Sequence, residues 1–562
     1  MIQPVFPEQA LRELGRTGGG PDTLALLVRD QHTRRLLLLR AVLDAVEAAD
    51  ERICPSAVRA RVREDWALLE EADETKARGD VADEEAHGVR VPPHGTSGAG
   101  QRGMPYGAAG GPPAAPGPAL PHVPRTTGTR GRHSPARALL LYPLVGPWAR
   151  SCLRALGAGA GALPGAGASP APVSGAGPGP VAGPVSGPAE EHRRRTLARD
   201  LAHFSVLAAV AAARADAVFS VRLTARAGVL VLPSLGALRT AGLGDVPVDA
   251  VFADHRLTLR QPGAADVVVR WEQSGTEGAG STGAWSEAAA WSPAHALPGL
   301  LPGSAHVPLD DLDPYRTVNH GRPHQQGLSG PAALDGAERR RWLRSWSGTA
   351  ELLGLGGEQR VGEAVALLRC LVPLAAPVDY GTGGAGTGNC SGTRREAFGA
   401  VLSSTPPAAA TFAATLVHEL QHAKLAALSD MVVLHHANSE ERYFAPWRPD
   451  PRPYDGLLQG VYSHVALADF FQRCALAAAH PAHRASAWGR HARYREQLKV
   501  ALPVVAASDD LTPSGRLLVG QLSEAYERMA ENPPPGGARR HAQAYVDAAQ
   551  ARFRDNALRP KA

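Results

Sequence analysis

His418 and His422 stand four residues apart in TLVHELQHAKLAAL, with Glu419 beside the first of them. On an α-helix this spacing puts both imidazoles on one face about one turn apart, where two ring nitrogens can reach a single divalent cation. The chemistry this permits is metal-assisted. A bound ion activates a small ligand, while the neighbouring carboxylate of Glu419, the catalytic candidate, either takes a proton or orients a ligand. Such a centre needs a third protein donor and an open coordination position. The extended protease pattern HExxHxxGxxH is excluded, because positions 425 and 428 are both Leu. A second protease pattern takes a glutamate from a following segment, where NSEERY places Glu440 and Glu441. The preferred third donor is His464, a lone histidine on the apolar face of GLLQGVYSHVALADFF. The competing explanation for each histidine is a hydrogen-bonded core residue.

Between the two histidine-bearing segments runs RYFAPWRPDPRPYDG, where proline prevents regular structure and presents Arg448 and Arg452 beside Trp447 and Tyr443. Arginine grips carboxylates through paired parallel hydrogen bonds, so this loop is suited to orient an anionic cosubstrate or an acidic side chain. The alternative is that both arginines pair with Asp450 and Asp455 of the same loop.

These residues require helices to position them. The spacing predicts a helix over about 406–429, with Thr405 as its cap, Pro406 in its first turn and alanines favouring it throughout. Phe412, Leu416, Val417, Leu420, Leu425 and Leu428 make it apolar on nearly every side, so it should be buried. The chain as a whole reads as α+β and predominantly α-helical: a helical metal-binding core, a small antiparallel sheet, and long Gly/Pro-rich disordered insertions. The expected order is an N-terminal helical segment (1–85), a disordered linker (86–136), a short helical segment of the core (137–156) and a disordered Gly/Pro/Ala insertion (157–189). An α+β region carrying the sheet (190–330) and a helical catalytic region (331–562) follow. The sheet is drawn from VFSVRLTARAGVLVLPSLGAL, HRLTLRQ and DVVVRWEQ, β-branched runs bounded by Gly or Pro.

Composition narrows the function classes. With 61 Gly, 48 Pro and 5% aromatics in 562 residues, part of the chain lacks the apolar surface to offset ordering entropy. A net charge of +5, with both signs spread along the chain and no basic stripe interleaved with aromatics, disfavours nucleic acid as a partner. The five cysteines are odd in number and lack CxxC spacing, which fits a reducing compartment. No signal-like N-terminus or long uncharged apolar run is read, so a soluble cytoplasmic protein without membrane partners is expected.

LVHELQHAKLAAL, YFAPWRPDPRP and GLLQGVYSHVALADFF, in that order and spacing, resemble the HExxH-motif peptide-modification family of actinobacterial ribosomal-peptide gene clusters. LYPLVGPWARSCLRAL, FSVRLTARAGVLVLPSLGAL and DDLDPYRTVNHGRP extend the likeness over roughly 138–562, apart from the Gly/Pro insertion. The resemblance implies an iron(II) and 2-oxoglutarate dependent β-hydroxylase acting on side chains of a precursor peptide, with a radical-SAM maturase of the same cluster as a further partner. It implies that His418 and His422 ligate iron, that His464 is the third ligand, and that Arg448 or Arg452 holds the 2-oxoglutarate carboxylate. Two other classes stay open: a zinc metallopeptidase or amidase built on the same histidines, and a non-catalytic peptide-binding protein.

Overall fold

The computed structural model describes residues 6–86, 134–157, 188–271, 284–317, 328–376 and 390–558. Most of the expected linker and insertion, the loop at 275–283, the histidine-containing segment 319–327 and the Gly-rich break at 381–388 lie outside the described residues. The fold is α+β and mostly helical, as composition and periodicity imply.

Helices α1 (Glu8–Gly15), α2 (Pro21–Ala48) and α3 (Ser56–Ala86) come first, then α4 (Pro135–Leu140), α5 (Val145–Ala155) and α6 (Pro188–Arg214). A β-rich stretch follows: β1 (Phe219–Ala225), β2 (Val229–Leu232), β3 (Gly236–Arg239), β4 (Val246–Ala253), β5 (Arg256–Arg260) and β6 (Val267–Val269). It ends with β7 (Trp291–Pro293), β8 (His295–Leu297) and β9 (Val307–Leu309). The C-terminal half contains α7 (Gly336–Trp346), α8 (Thr349–Leu355), α9 (Glu358–Leu367), β10 (Cys370–Leu374), β11 (Ser391–Thr393) and β12 (Ala400–Ser404). Helices α10 (Ala409–Met431), α11 (Tyr454–Ala477), α12 (Pro481–Ala506), α13 (Pro513–Arg528) and α14 (Gly536–Leu558) complete it.

Two antiparallel sheets, in the orders β1-β4-β5-β6 and β2-β3-β7, pack with α6. Burial alternates along β4, as expected for a half-buried strand. A third sheet, ordered β11-β12-β10-β9-β8, corrects the reading of 331–562 as helical apart from its breaks. Its central strands β10 and β12 run parallel and are buried at every position. Strands buried on both faces lose the period-two signature, so CLVPL and AVLSS read as generic apolar runs.

Helix α6 is the one described helix long and apolar enough to cross a membrane, and 78% of its most apolar window is buried inside the protein. It is a core helix.

Two hydrophobic cores share α2. Leu24 and Leu27 belong to the core formed by α10, α11 and their neighbours, whereas Leu38, Leu39, Val42 and Val46 belong to the core around α6 and the first sheet. The loop between α1 and α2 reaches the back of α10. There Lys424 Nζ donates to Glu363 Oε1 at 2.8 Å and to the carbonyls of Thr17 and Gly18 at 2.9 and 3.0 Å. Arg360 joins through Glu363 Oε2 at 3.1 Å and the Thr17 carbonyl at 2.7 Å. Burial by itself would push the Glu363 carboxyl upward, but the cations of Lys424 and Arg360 outweigh it and hold the carboxyl below its usual range. Because these charges are excluded from water, removing one partner strands the others. Glu363→Ala should therefore lower unfolding free energy by about 3–5 kcal/mol in urea titrations; a loss under about 1 kcal/mol would show that the pair carries no structural weight.

A second buried polar group makes stability depend on pH. Burial, and then the charge of Arg226, push the His203 imidazole down to about 3. As pH falls below the ordinary value, the unfolded chain takes up a proton that the folded chain refuses, so stability drops with acidification. This residue should contribute a loss of about 2 kcal/mol between about pH 6.5 and about pH 5. Comparing denaturation of wild type and His203→Gln across that window should give a shallower slope for the variant.

Candidate metal centre

Helix α10 begins later than its sequence pattern suggests. Its cap position is Ala408, with no side-chain cap, and Thr405 instead donates to Glu338 Oε2 at 2.8 Å. The helix start is set by its packing: Phe412 meets Trp342 and Trp346 of α7 edge-on, at 5.4 and 5.1 Å between ring centres. The remainder is buried as expected, and His418 and His422 project from it only half-buried.

Their Nε2 atoms lie 3.1 Å apart. Two nitrogens each about 2.1 Å from a shared ion and about 90° apart would be separated by about 3.0 Å, so the pair has the spacing of adjacent ligands. His422 Nδ1 donates to Gln459 Oε1 at 3.3 Å, a contact that assigns the proton to Nδ1 and leaves Nε2 as a lone pair. His418 Nδ1 is buried without a partner. Neither tautomer of His418 therefore satisfies both its ring nitrogens with protein contacts alone. Burial, then the fields of His422 and His464, hold His418 well below the ordinary imidazole range. Burial likewise lowers His422. Both rings are neutral donors.

His464 comes next to this pair but does not close a three-nitrogen cluster with it. Its ring centre is 5.9 Å from that of His418, and the rings are perpendicular. Among the described residues no group of three or more His, Cys, Asp and Glu side chains is placed to hold a metal ion. The cause is local: His464 Nδ1 donates to the Gly460 carbonyl at 2.6 Å, Trp447 stacks on one face of its ring at 4.3 Å, and Tyr494 leans on it at 5.1 Å. Its Nε2 is thereby the lone-pair nitrogen, and burial pushes its pKa down to about 4. The glutamate alternatives are not brought to the pair's helix face either. Glu440 and Glu441 are exposed on the connecting loop, where Glu440 accepts from Arg442 Nη1 at 3.0 Å.

The loop arginines are also placed differently from the carboxylate-gripping role. Arg448 Nε faces Asp450 Oδ1 at 3.2 Å and Arg452 Nη1 faces Asp450 Oδ2 at 3.5 Å, so the two share one loop aspartate. Arg452 further closes the loop through paired backbone bonds with Tyr443. What the loop lays over His464 is Trp447.

Glu419 is buried on the side of α10 facing the mixed sheet. Ser391 Oγ donates to its Oε1 at 2.7 Å, and Thr393 from the same strand also supports it. Burial pushes the carboxyl up to about 7, with the two hydroxyls pulling the other way. Ser391 and Thr393 oppose Ser403 and Val401 of β12, and β12 leads directly into α10. Ser391, Thr393, Gln459 and Trp447 thus support the candidate residues. Their contacts are tertiary, and only Trp447 stood out in the sequence, as a neighbour of the arginines.

No protein-family model matches this chain, and no curated protein matches it.

The stack of Trp447 on His464 depends on Gly460. A Cβ there would lie 2.2 Å from Trp447 Cζ2, closer than any packed carbon can approach. Gly460→Ala should displace the indole, shift the tryptophan emission, and cost about 1–3 kcal/mol of stability. Gly489→Ala, on α12 with nothing near its added methyl, should be neutral or slightly stabilising by comparison. Equal responses of the two variants would show that the indole does not rest on position 460.

Proposed function

We propose that the chain is an iron(II) and 2-oxoglutarate dependent hydroxylase that modifies side chains of a ribosomally made precursor peptide. The observation that carries this reading is the His418–His422 pair: neutral rings, Nε2 atoms 3.1 Å apart, and a buried His418 nitrogen that protein contacts leave unsatisfied. The resemblance of the α10, loop and α11 segments to the HExxH peptide-modification family supplies the substrate class. His418 and His422 would hold the ion through Nε2; the third donor that the reading requires is His464, which stands beside the pair, held by the Gly460 carbonyl and Trp447, without closing a three-nitrogen cluster in this structure. Bound iron(II) with 2-oxoglutarate supplies oxidative chemistry that places one oxygen atom of O₂ into a C–H bond.

The protein's own part is positioning. Gln459 fixes the orientation of His422, Trp447 shields His464 from water, and Ser391 and Thr393 restrain Glu419 against the sheet, where it supports the helix face from beside the histidines. A zinc-dependent hydrolase is the second reading. It is favoured by Glu419 itself, a carboxyl adjacent to His418 with hydroxyl donors already in place.

Purified protein, supplied with iron(II), ascorbate, 2-oxoglutarate and the precursor peptide encoded nearest its gene, should release succinate and increase the peptide mass by one oxygen atom. His418→Ala and His422→Ala should each abolish both outcomes and lower the iron retained. Peptide cleavage that needs zinc and is indifferent to O₂ and 2-oxoglutarate would replace this function with the hydrolytic one. Unchanged metal content and peptide modification in both variants would remove the centre altogether.

A further inference from the structure

A half-open cavity of about 300 Å³ lies away from the histidine pair, between α6, the β1–β2 turn region and the segment 311–316. Its volume falls at the lower end of small-ligand pockets, and its lining has the usual character of such sites: mostly apolar, with a few polar groups. Val206, Leu230 and Leu312 supply apolar walls, and two guanidinium groups, Arg226 and Arg316, line the same space.

Its lining carries two guanidiniums and one acid, Asp311, with the carboxyls of Asp200, Asp310 and Asp313 behind the arginines. Asp200 pairs loosely with Arg226, its Oδ1 3.9 Å from Nη1, and also accepts from Ser151 Oγ at 2.6 Å and Tyr315 Oη at 2.8 Å. Arg226 is oriented by donating to the Tyr315 hydroxyl at 2.9 Å and lies over that ring. Arg316 uses Nη1 on the Asp313 carbonyl at 2.6 Å, while its Nε is buried with no partner. Asp311, the one acid in the lining, is engaged by the Leu334 backbone N–H at 2.8 Å and faces Arg339 at 3.6 Å. Neither guanidinium is held by a carboxylate in a bidentate pair, Arg316 Nε has no partner, and both stand beside an apolar wall; this suits an anion with an apolar body.

We propose that this cavity binds a small organic carboxylate, its apolar body against Val206, Leu230 and Leu312 and its carboxylate between Arg226 and Arg316. The site is separate from the histidine centre and does not rest on the hydroxylase reading.

Calorimetric titration of the full-length protein with 3-phenylpropanoate, and with its uncharged amide, tests this. The carboxylate should bind at least ten-fold more tightly than the amide. Arg316→Gln and Arg226→Met should each weaken it at least five-fold, with Arg226→Lys recovering part of the loss. Leu312→Trp, which narrows the cavity from a half-exposed position, should abolish binding without disturbing α6. His418→Ala should bind the carboxylate as wild type does. Absence of binding, equal affinity for the amide, or binding that survives Leu312→Trp yet disappears in His418→Ala would overturn the proposal.

Discussion

The back of the histidine helix is fixed by an ion pair that water does not reach. Lys424 lies two residues beyond His422, about 200° around the helix, so its ammonium points away from the imidazoles into the protein. There it meets Glu363 of α9 and the carbonyls of Thr17 and Gly18. A buried ion pair is a poor source of net stability, but it is intolerant of displacement, because any rotation of α10 would leave a charge without its partner. The orientation of His418 and His422 thus depends on contacts made on the opposite face of their helix. The N-terminal segment is part of that arrangement: its α1–α2 loop supplies two of the carbonyl acceptors, and Leu14 accepts from Tyr462 of α11 at 2.8 Å.

The front of the helix is organised by polarity of a different kind. Hydroxyls of β11 hold Glu419, and an amide holds His422. A backbone carbonyl and two aromatic rings hold His464. None of these contacts brings a formal opposite charge to an imidazole, and burial keeps the rings neutral. Neutral rings with oriented lone pairs suit cation binding, whereas a carboxylate partner would have favoured protonation.

The sequence made some of this visible and hid the rest for physical reasons. The contact between His418 and His422 is legible because four-residue spacing is a property of one helix. The burial of α10 and α11 follows from their apolar faces. His464 was legible as an interior histidine, but its ring orientation was not, since it is set by Trp447 and Tyr494 from two other segments. Arg448 and Arg452 could be read equally as ligand-binding or as partners of the loop's own acids, and Asp450 takes both. The mixed sheet was missed because β10 and β12 are buried on both faces, and with it went the position of Ser391 opposite Glu419. Thr405 illustrates the limit of local rules: good capping chemistry was drawn into a bond with Glu338, and the packing of Phe412 decided where the helix begins.

Helix α2 has its first turns in the core of the histidine helices and its last turns in the core of α6 and the antiparallel sheets. Its 28 residues extend about 42 Å without a break. Neither core can melt alone without either exposing half of that helix's apolar stripe or fraying it in the middle, and both are costly. The two halves of the molecule are consequently joined in their cooperativity, and damage to the sheet-bearing half is felt as loosened footing under residues that never touch it.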